Sequence, residues 1–294
     1  MTRNWDDAYY EVGGDNSWQA PMRARQSWYR QIVLDQEAGI YLKKVRGNWL
    51  REAEGKKGCN FLTPEIAAYV EWWLASGKQP WAVAEPDRLR RNMLSSQPLC
   101  FNLFVPLAND LDLASEVLGS MTNGRVAKVS QILFEYSPGR DDDRYTSDGT
   151  AYDVFVCYRD SVGGAGFLGI EAKYFEKLRS DSDTAEDRER YSEIAEQMGG
   201  FKPSCREQLR RKPLGQIWRN HLLAGSQQIT DGFEDAVSVL LYPDENIACV
   251  KADAAYRECL TDSSSFEAWT IDELVKLIRE MRPSEWIKSF YTRY

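Results

Sequence analysis

The chain is poor in the residues from which proteins most often build zinc sites and disulfide frameworks. Its 294 residues include one histidine, His221, and six cysteines, and no two cysteines form a Cys-x-x-Cys pair. A structural zinc needs four nitrogen or sulfur ligands, and a disulfide framework needs suitably spaced cysteines. The sequence therefore argues against both, and His221 is predicted to be a packed or surface residue, not a general base.

Long apolar segments are also lacking. No run approaches the roughly 18 apolar residues of a membrane span, and the first residues contain no apolar signal-peptide core. Hydrophobic residues still make up 43% of the chain, which is ample for a packed interior. We therefore expect a soluble, cytoplasmic protein without a membrane partner.

Positive charge is in deficit, with 37 lysines and arginines against 45 acids and a net charge of −8. This sum by itself disfavours binding to phosphate. The distribution is uneven, however, because residues 202–219 carry six cations and one acid, Glu207. These cations are Lys202, Arg206, Arg210, Arg211, Lys212 and Arg219. The run leaves room for a basic surface on an acidic body, although charge alone decides nothing.

The hydrophobic pattern predicts helices in the first part of the chain and strands from residue 129 onward. A helix is predicted from Met22 to about Val45, another from the Thr63-Pro64-Glu65 start, and a third over Leu89–Phe104 that ends before Pro106. The later predictions are strands at 129–136, 152–158, 167–174 and 236–243, and helices at 111–118, 213–227, 246–259, 270–281 and 283–291. This order predicts an α/β fold with a mixed central sheet.

Charged residues interrupt two neighbouring apolar strands. Asp153 opens one strand, and Glu171 and Lys173 lie in the next, beyond a glycine-rich turn at 161–166. Burying an unpaired charge is costly, and residues two apart in a strand point to the same face. Two carboxylates can hold a divalent metal, and a lysine can serve the water that the metal activates. The pattern favours a metal-dependent nuclease over the alternative, a structural ion pair at a sheet edge.

This arrangement resembles the PD-(D/E)XK nuclease superfamily, the fold of many restriction endonucleases. Tyr152 stands where the superfamily name has proline, a residue that is often absent there. Further segments resemble a bacterial, restriction-endonuclease-like branch, and the resemblance spans roughly residues 20–294. These segments are 95–97, 100–104, 134–136, 150–153, 170–174 and 293–294. The resemblance implies a nuclease core at 93–294, a mixed central sheet flanked by helices, with a helical N-terminal region at 1–92 packed on it.

The resemblance also implies a metal centre. Asp153 and Glu171, helped by the backbone carbonyl of Ala172, would bind one or two Mg²⁺ ions, for which Mn²⁺ can substitute. Lys173 would orient the attacking water and help to remove its proton.

Other positions are implied less directly. Glu135, near the end of a core strand, would supply an additional acid, with Asp148 as the alternative from a loop. The superfamily often carries a glutamine on a helix near the site, and Gln216 is the candidate here. Arg219 and Asn220 follow one turn later, where an arginine could contact the scissile phosphate. The competing interpretation of these three residues is an ordinary solvated helix face.

The implied function is Mg²⁺-dependent hydrolysis of phosphodiester bonds, most directly in DNA, in bacterial defence or repair. DNA is the expected partner, and a homodimer is left open because superfamily members often pair to cut two strands. One alternative is a catalytically inactive nucleic-acid-binding module of the same fold. Another is a nuclease for RNA or for branched or modified DNA. The sequence does not predict sequence specificity or endonucleolytic against exonucleolytic cleavage.

Overall fold

The computed structural model describes residues 12–76, 85–176, 178 and 188–294. These residues form two compact units. The terminal unit contains residues 12–76, 85–106 and 282–294, and the sheet unit contains the described residues between 107 and 281. Residues 93–106 thus group with the N-terminal region. The division into an N-terminal region at 1–92 and a nuclease core at 93–294 stays a prediction.

Helices and strands account for most of the described chain. In chain order they are α1 (Gln19–Trp28), a π-helical turn (Tyr29–Val33), β1 (Ala38–Tyr41), β2 (Lys44–Leu50), α2 (Glu52–Lys56), α3 (Pro64–Ala75), α4 (Pro86–Arg91), α5 (Ser96–Asn109), α6 (Leu111–Met121), β3 (Lys128–Tyr136), β4 (Tyr152–Arg159), β5 (Ala165–Ala172), α7 (Glu189–Met198), a 3₁₀ turn (Pro203–Cys205), α8 (Arg206–Leu209), α9 (Gly215–Asp231), β6 (Asp235–Tyr242), α10 (Ile247–Glu258), β7 (Phe266–Thr270), α11 (Ile271–Met281) and α12 (Glu285–Arg293). Among the described residues, no helix combines the length and hydropathy that crossing a bilayer requires.

The helix predicted from Met22 to about Val45 is wrong beyond Val33. The chain turns instead into an antiparallel hairpin of β1 and β2. Its two-residue turn, Leu42-Lys43, has positive φ at both positions, as a type I′ hairpin turn requires. The turn contains neither glycine nor asparagine, the usual sequence signals of this conformation, so the hairpin went unpredicted.

The helix predicted over Leu89–Phe104 is also two helices, α4 and α5. The break falls at Asn92, whose side-chain oxygen accepts a hydrogen bond from the backbone N–H of Leu94 at 3.1 Å. Helix α5 then continues through Pro106, where the sequence predicts a stop. A proline lowers helix stability without forbidding a helix, and the surrounding α5 residues are almost all buried.

A five-stranded mixed sheet, ordered β3-β4-β5-β6-β7, forms the sheet unit. Pairing is antiparallel from β3 to β5 and parallel from β5 to β7. The predicted α/β fold with a mixed central sheet is confirmed, although the five-residue β7 was not predicted. This topology brings the end of β3, the start of β4 and the ends of β5, β6 and β7 to one edge of the sheet.

Helices cover the sheet and complete its core. Helix α9 packs on β5 and β6, α6 packs on β3, and α11 packs on β7 and α6. Helix α11, predicted at 270–281, begins with a capping box, in which Thr270 Oγ1 accepts from the N–H of Glu273 at 3.1 Å. The α9 side of the sheet carries buried aromatic residues such as Trp218, Tyr256 and Phe266. Because α9 lies against β5, its first turn can reach the charged end of that strand.

The terminal unit contains a fully buried arginine, Arg293 on α12. Its guanidinium donates to the backbone oxygen of Asn60 at 2.6 Å, to Asn60 Oδ1 at 2.5 Å and to Gln26 Oε1 at 3.1 Å. It also lies 4.8 Å from the ring centroid of Tyr294. One side chain thus connects α1, the loop before α3 and α12 within this unit.

We predict that Arg293→Ala lowers the free energy of unfolding by about 2 to 5 kcal/mol, because buried acceptors lose a charged donor. Chemical denaturation monitored by circular dichroism measures this. Lys288→Ala on the same helix is the matched control, because its ion pair with Glu285 is exposed and contributes about 0.5 kcal/mol or less. Equal effects of the two substitutions would contradict the assigned role of Arg293.

Candidate active site

Asp153 and Glu171 face each other across β4 and β5. Val154 pairs with Ile170, which places Asp153 and Glu171 at the next position toward the sheet edge. The backbone N–H of Ala172 donates to Asp153 Oδ2 at 2.7 Å. This bond fixes the direction of the Asp153 carboxylate. It also joins the start of β4 to the end of β5, the two strand positions that the sequence predicts to be neighbours.

Glu171 is the centre of the hydrogen-bonding here. Its Oε1 accepts from Lys173 Nζ at 2.5 Å and from Gln216 Nε2 at 2.8 Å. Lys173 is held by its own backbone, since its N–H donates to the oxygen of Leu241 and extends the β5–β6 pairing by one residue. The Glu171 and Lys173 side chains are only 13% and 8% exposed. The structure therefore brings Asp153, Glu171, Lys173 and Gln216 together.

Glu135 reaches the same edge from β3 in an unusual conformation. Its flanking residues Phe134 and Tyr136 pair with Val154 and Tyr152, on either side of Asp153. Glu135 itself has a φ of 49° and is buried. A left-handed glutamate is uncommon and costs about 1 kcal/mol or more, a strain that often accompanies functional sites.

The carboxylates repel one another. Burial raises the pKa of Asp153 well above its usual range, and the negative charges of Glu171 and Glu135 raise it further. Burial opposes the charged form of Lys173, but the carboxylates of Glu171 and Asp153 outweigh it and raise the pKa of this lysine. Lys173 is therefore an ammonium that donates to Glu171. One such cation leaves three converging acids incompletely compensated.

This donor set fits a divalent cation. Carboxylate and backbone carbonyl oxygens are the ligands that Mg²⁺ and Ca²⁺ prefer, and excess negative charge is what a bound cation would neutralise. The structure adds one acid that sequence reasoning missed, Glu176, which is close enough to raise the pKa of Lys173. It lies just past the strand, where no alternation pattern marks it.

Asp148, the alternative acid, has other contacts. Its carboxylate accepts from Thr146 Oγ1 at 2.9 Å, from the N–H of Thr150 at 2.8 Å and from the Tyr191 hydroxyl. Burial raises its pKa, but these hydrogen bonds, with that of Thr150 the largest, lower it overall. The contacts favour a role in bracing the loop before β4.

Part of the basic run is occupied with internal hydrogen bonds. Arg206 and Arg210 both donate to Ser192 Oγ, at 2.9 and 2.6 Å. Lys202 Nζ donates to the backbone oxygen of Glu258 at 2.8 Å. These cations brace α7 and α10, so the run is less available to phosphate than its sequence indicates.

Arg219 differs from them. It lies one helical turn after Gln216 on α9 and is partly buried, and no hydrogen bond or ion pair joins it to any described residue. The Nδ2 of Asn220, beside it, is buried and likewise has no hydrogen-bond partner there. A guanidinium that holds no carboxylate is available to bind an anion.

A second group of acids lies near this edge of the sheet. Asp244, Glu245 and Asp272 bring carboxylate oxygens within 4.8 Å of one another, whereas Asp153, Glu171 and Glu135 are not so close. All members of the second group are exposed, and exposed acids commonly cluster without an ion. Exposure distinguishes it from the Asp153–Glu171 site, where the Glu171 side chain is only 13% exposed.

Comparison with protein families identifies the class of protein to which the chain belongs. A family model described as the PD-(D/E)XK nuclease superfamily matches residues 13–294, so the chain belongs to this superfamily. The predicted restriction-endonuclease-like fold is confirmed with it. Membership implies a nuclease that hydrolyses phosphodiester bonds, and nucleases of this superfamily generally use divalent metals. Comparisons with curated proteins and with solved structures gave no match.

His221 is buried on α9, and its surroundings explain why its imidazole is neutral. Its Nδ1 lies 2.9 Å from the Tyr256 hydroxyl and its Nε2 2.8 Å from Ser265 Oγ. Burial lowers the pKa of His221 to about 3. A neutral, fully packed imidazole on this helix has a structural role.

We predict that acid destabilises the protein partly through His221. Between about pH 3 and 6.5 the unfolded chain binds a proton on this residue that the folded chain excludes, so the free energy of unfolding falls as pH falls. The slope from this group is at most about 1.4 kcal/mol per pH unit. Because the chain has one histidine, its ring proton NMR signal should be unique and unchanged down to about pH 4. A signal that titrates near pH 6.5 would contradict the assignment.

Proposed function

We propose that the protein is a Mg²⁺-dependent endodeoxyribonuclease and that the site described above is its active site. The observation that carries the proposal is the position of Glu171, opposite Asp153 and hydrogen-bonded at one oxygen to both Lys173 and Gln216. A structural ion pair at a sheet edge needs Lys173 and one carboxylate. It does not need a second and a third acid that raise the pKa of Asp153.

Asp153, Glu171 and the carbonyl of Ala172 would hold the metal, with Glu135 as a further acid. Mg²⁺ is the proposed ion, and Mn²⁺ can substitute. A divalent cation bound there supplies a water of lowered pKa and offsets negative charge on the phosphate in the transition state. Glu135 acts from a strained backbone, and its carboxylate is close enough to raise the pKa of Asp153.

Lys173, Gln216 and Arg219 complete the mechanism. Lys173 donates a hydrogen bond that orients the attacking water, and its raised pKa favours orientation over removal of the proton. Gln216 keeps the Glu171 carboxylate in place from the first turn of α9. Arg219 binds the scissile phosphate as a planar donor, which is possible because it forms no ion pair with a described residue. Cleavage leaves a 5′-phosphate and a 3′-hydroxyl, as in related nucleases.

DNA is the proposed substrate, since the sequence contains no recognisable RNA-binding module. Action in the cytoplasm, in bacterial defence or repair, and as a homodimer when both strands are cut, is part of the same proposal. The second candidate function is an inactive binding module of this fold. The intact set of Asp153, Glu171 and Lys173 favours catalysis.

We expect the purified protein to cut plasmid DNA with Mg²⁺ and to leave it uncut with EDTA. Lys173→Ala should lower the cleavage rate at least about 100-fold, because the water loses its orienting donor. Gel-based single-turnover assays measure both results. Lys251→Ala on α10 is the matched control, since this lysine is exposed and lies outside the site.

Equal rates for Lys173→Ala and the wild type would show that the mechanism is wrong. DNA that is bound but never cut, with any of Mg²⁺, Mn²⁺ or Ca²⁺, would favour the inactive module. Cleavage of RNA in preference to DNA would retain the mechanism and change the substrate.

The Glu135→Gly variant tests separately how the left-handed backbone at residue 135 affects stability and how the Glu135 carboxylate affects nuclease activity. Glycine accepts the positive φ freely and removes one of the repelling carboxylates, so the free energy of unfolding should stay equal or rise by up to about 1 kcal/mol. Nuclease activity should fall at least tenfold, about 1.4 kcal/mol in barrier. Thermal denaturation and the plasmid assay measure the two effects. Full nuclease activity in a stabilised Glu135→Gly variant would show that Glu135 is not an active-site residue.

A further inference from the structure

The tip of the β1–β2 hairpin, residues 40–45, is exposed over its entire length. All six side chains are exposed, and four of them are apolar: Ile40, Tyr41, Leu42 and Val45. Leu42, at the turn, is 74% exposed, and Ile40 and Val45, which pair directly across the strands, share one face. Contiguous exposed apolar surface on a soluble domain usually marks an interaction site.

Cations surround this apolar tip. Lys43, Lys44 and Arg46 lie in and beside the turn. Their backbones belong to the hairpin, but none of the three side chains forms a hydrogen bond or ion pair with a described residue. Other basic residues nearby are paired: Lys56 binds Glu52 at 2.6 Å, and Arg51 binds Glu37. Three cations whose side chains have no acidic partner among the described residues form a local positive surface on a protein of net charge −8.

Contacts with Arg91 and Trp49 hold both strands of the hairpin, up to Ile40 and Tyr41 at the start of the tip. Arg91 donates to the backbone oxygens of Leu50 and Ile40, at 2.9 and 3.3 Å, and so joins both strands. Its guanidinium also lies over the ring of Trp49, on which Tyr41 stacks at 4.3 Å between ring centroids. The tip therefore projects from a rigid support.

The turn itself is strained. Leu42 and Lys43 have φ values of 49° and 62°, where glycine or asparagine would be relaxed. Each non-glycine residue in this region costs about 1 kcal/mol or more. A leucine that is strained and 74% exposed contributes little to packing in the described structure, which points to a contact made by its side chain.

We propose that the hairpin tip binds duplex DNA, with Lys43, Lys44 and Arg46 on the phosphates and Leu42 inserted against the bases. A two-stranded ribbon fits a DNA groove, and apolar side chains that wedge between base steps are a known means of deforming a duplex. Charge and apolar surface together favour this partner, because duplex DNA presents a dense row of phosphates to the three cations and stacked bases to the apolar tip. The proposal rests on the proposed function for its substrate, DNA.

Fluorescence anisotropy with a labelled 24-base-pair DNA duplex in EDTA tests the proposal without cleavage. The triple variant Lys43→Asn, Lys44→Gln, Arg46→Gln should bind at least tenfold more weakly at 100 mM salt. The slope of log Kd against log salt should fall by about 2 to 3, near 0.9 for each lost phosphate contact. Leu42→Gly should weaken binding a few-fold, leave the slope unchanged and, at a positive φ, preserve or raise stability.

Lys56→Gln is the matched control, since that lysine is already paired, and it should bind as the wild type does. Unchanged affinity and salt slope in the triple variant would overturn the proposal, and so would wild-type protein that binds no duplex. Tip variants that alter self-association in sedimentation, while DNA affinity stays unchanged, would show that the tip binds a second copy instead.

The two proposals can fail separately. If duplex DNA binds through the hairpin but is not cut with any of the metals tested, the nuclease proposal is contradicted and the hairpin proposal is supported. DNA that the triple variant cuts with an unchanged KM contradicts the hairpin and supports the nuclease.

Discussion

The structure of the candidate site depends on negative charge gathered at one buried edge of the sheet. Asp153 and Glu171 lie on adjacent strands, and Glu135 approaches from the third. Burial and mutual repulsion raise the pKa of Asp153, while Lys173 and the N–H of Ala172 act in the opposite direction. An arrangement with this much unfavourable charge is stable only with compensation, and a divalent cation is the compensation that the ligand chemistry fits.

The mixed topology of the sheet brings these charged residues together at one edge. An antiparallel pair β4–β5 brings the start of one strand to the end of the next, and parallel pairing of β5 with β6 adds support at the same edge. The pairing continues to Lys173, whose backbone is bonded to Leu241. Helix α9, packed on β5 and β6, then contributes Gln216 from its first turn. Sheet pairing and helix packing thus provide the rigidity that a catalytic site needs.

Local patterns predicted much of this. Alternation and spacing placed Asp153, Glu171 and Lys173 on neighbouring strands, and the hydrophobic pattern located α11, because these depend on residues close in sequence. Contacts between segments that are distant in sequence could not be predicted from these local patterns. Glu176 follows no pattern, Asp148 is committed to Tyr191, and Arg206 and Arg210 are committed to Ser192. The hairpin was missed for a different reason: its turn residues, Leu42 and Lys43, adopt a conformation that their identities disfavour.

Crystals grown with Mn²⁺ test the central claim most directly, because anomalous diffraction locates the ion without reference to activity. The account predicts a peak at bonding distance, about 2.0 to 2.6 Å, from carboxylate oxygens of both Asp153 and Glu171. A peak at the exposed group of Asp244, Glu245 and Asp272, with none at Asp153 and Glu171, would contradict it.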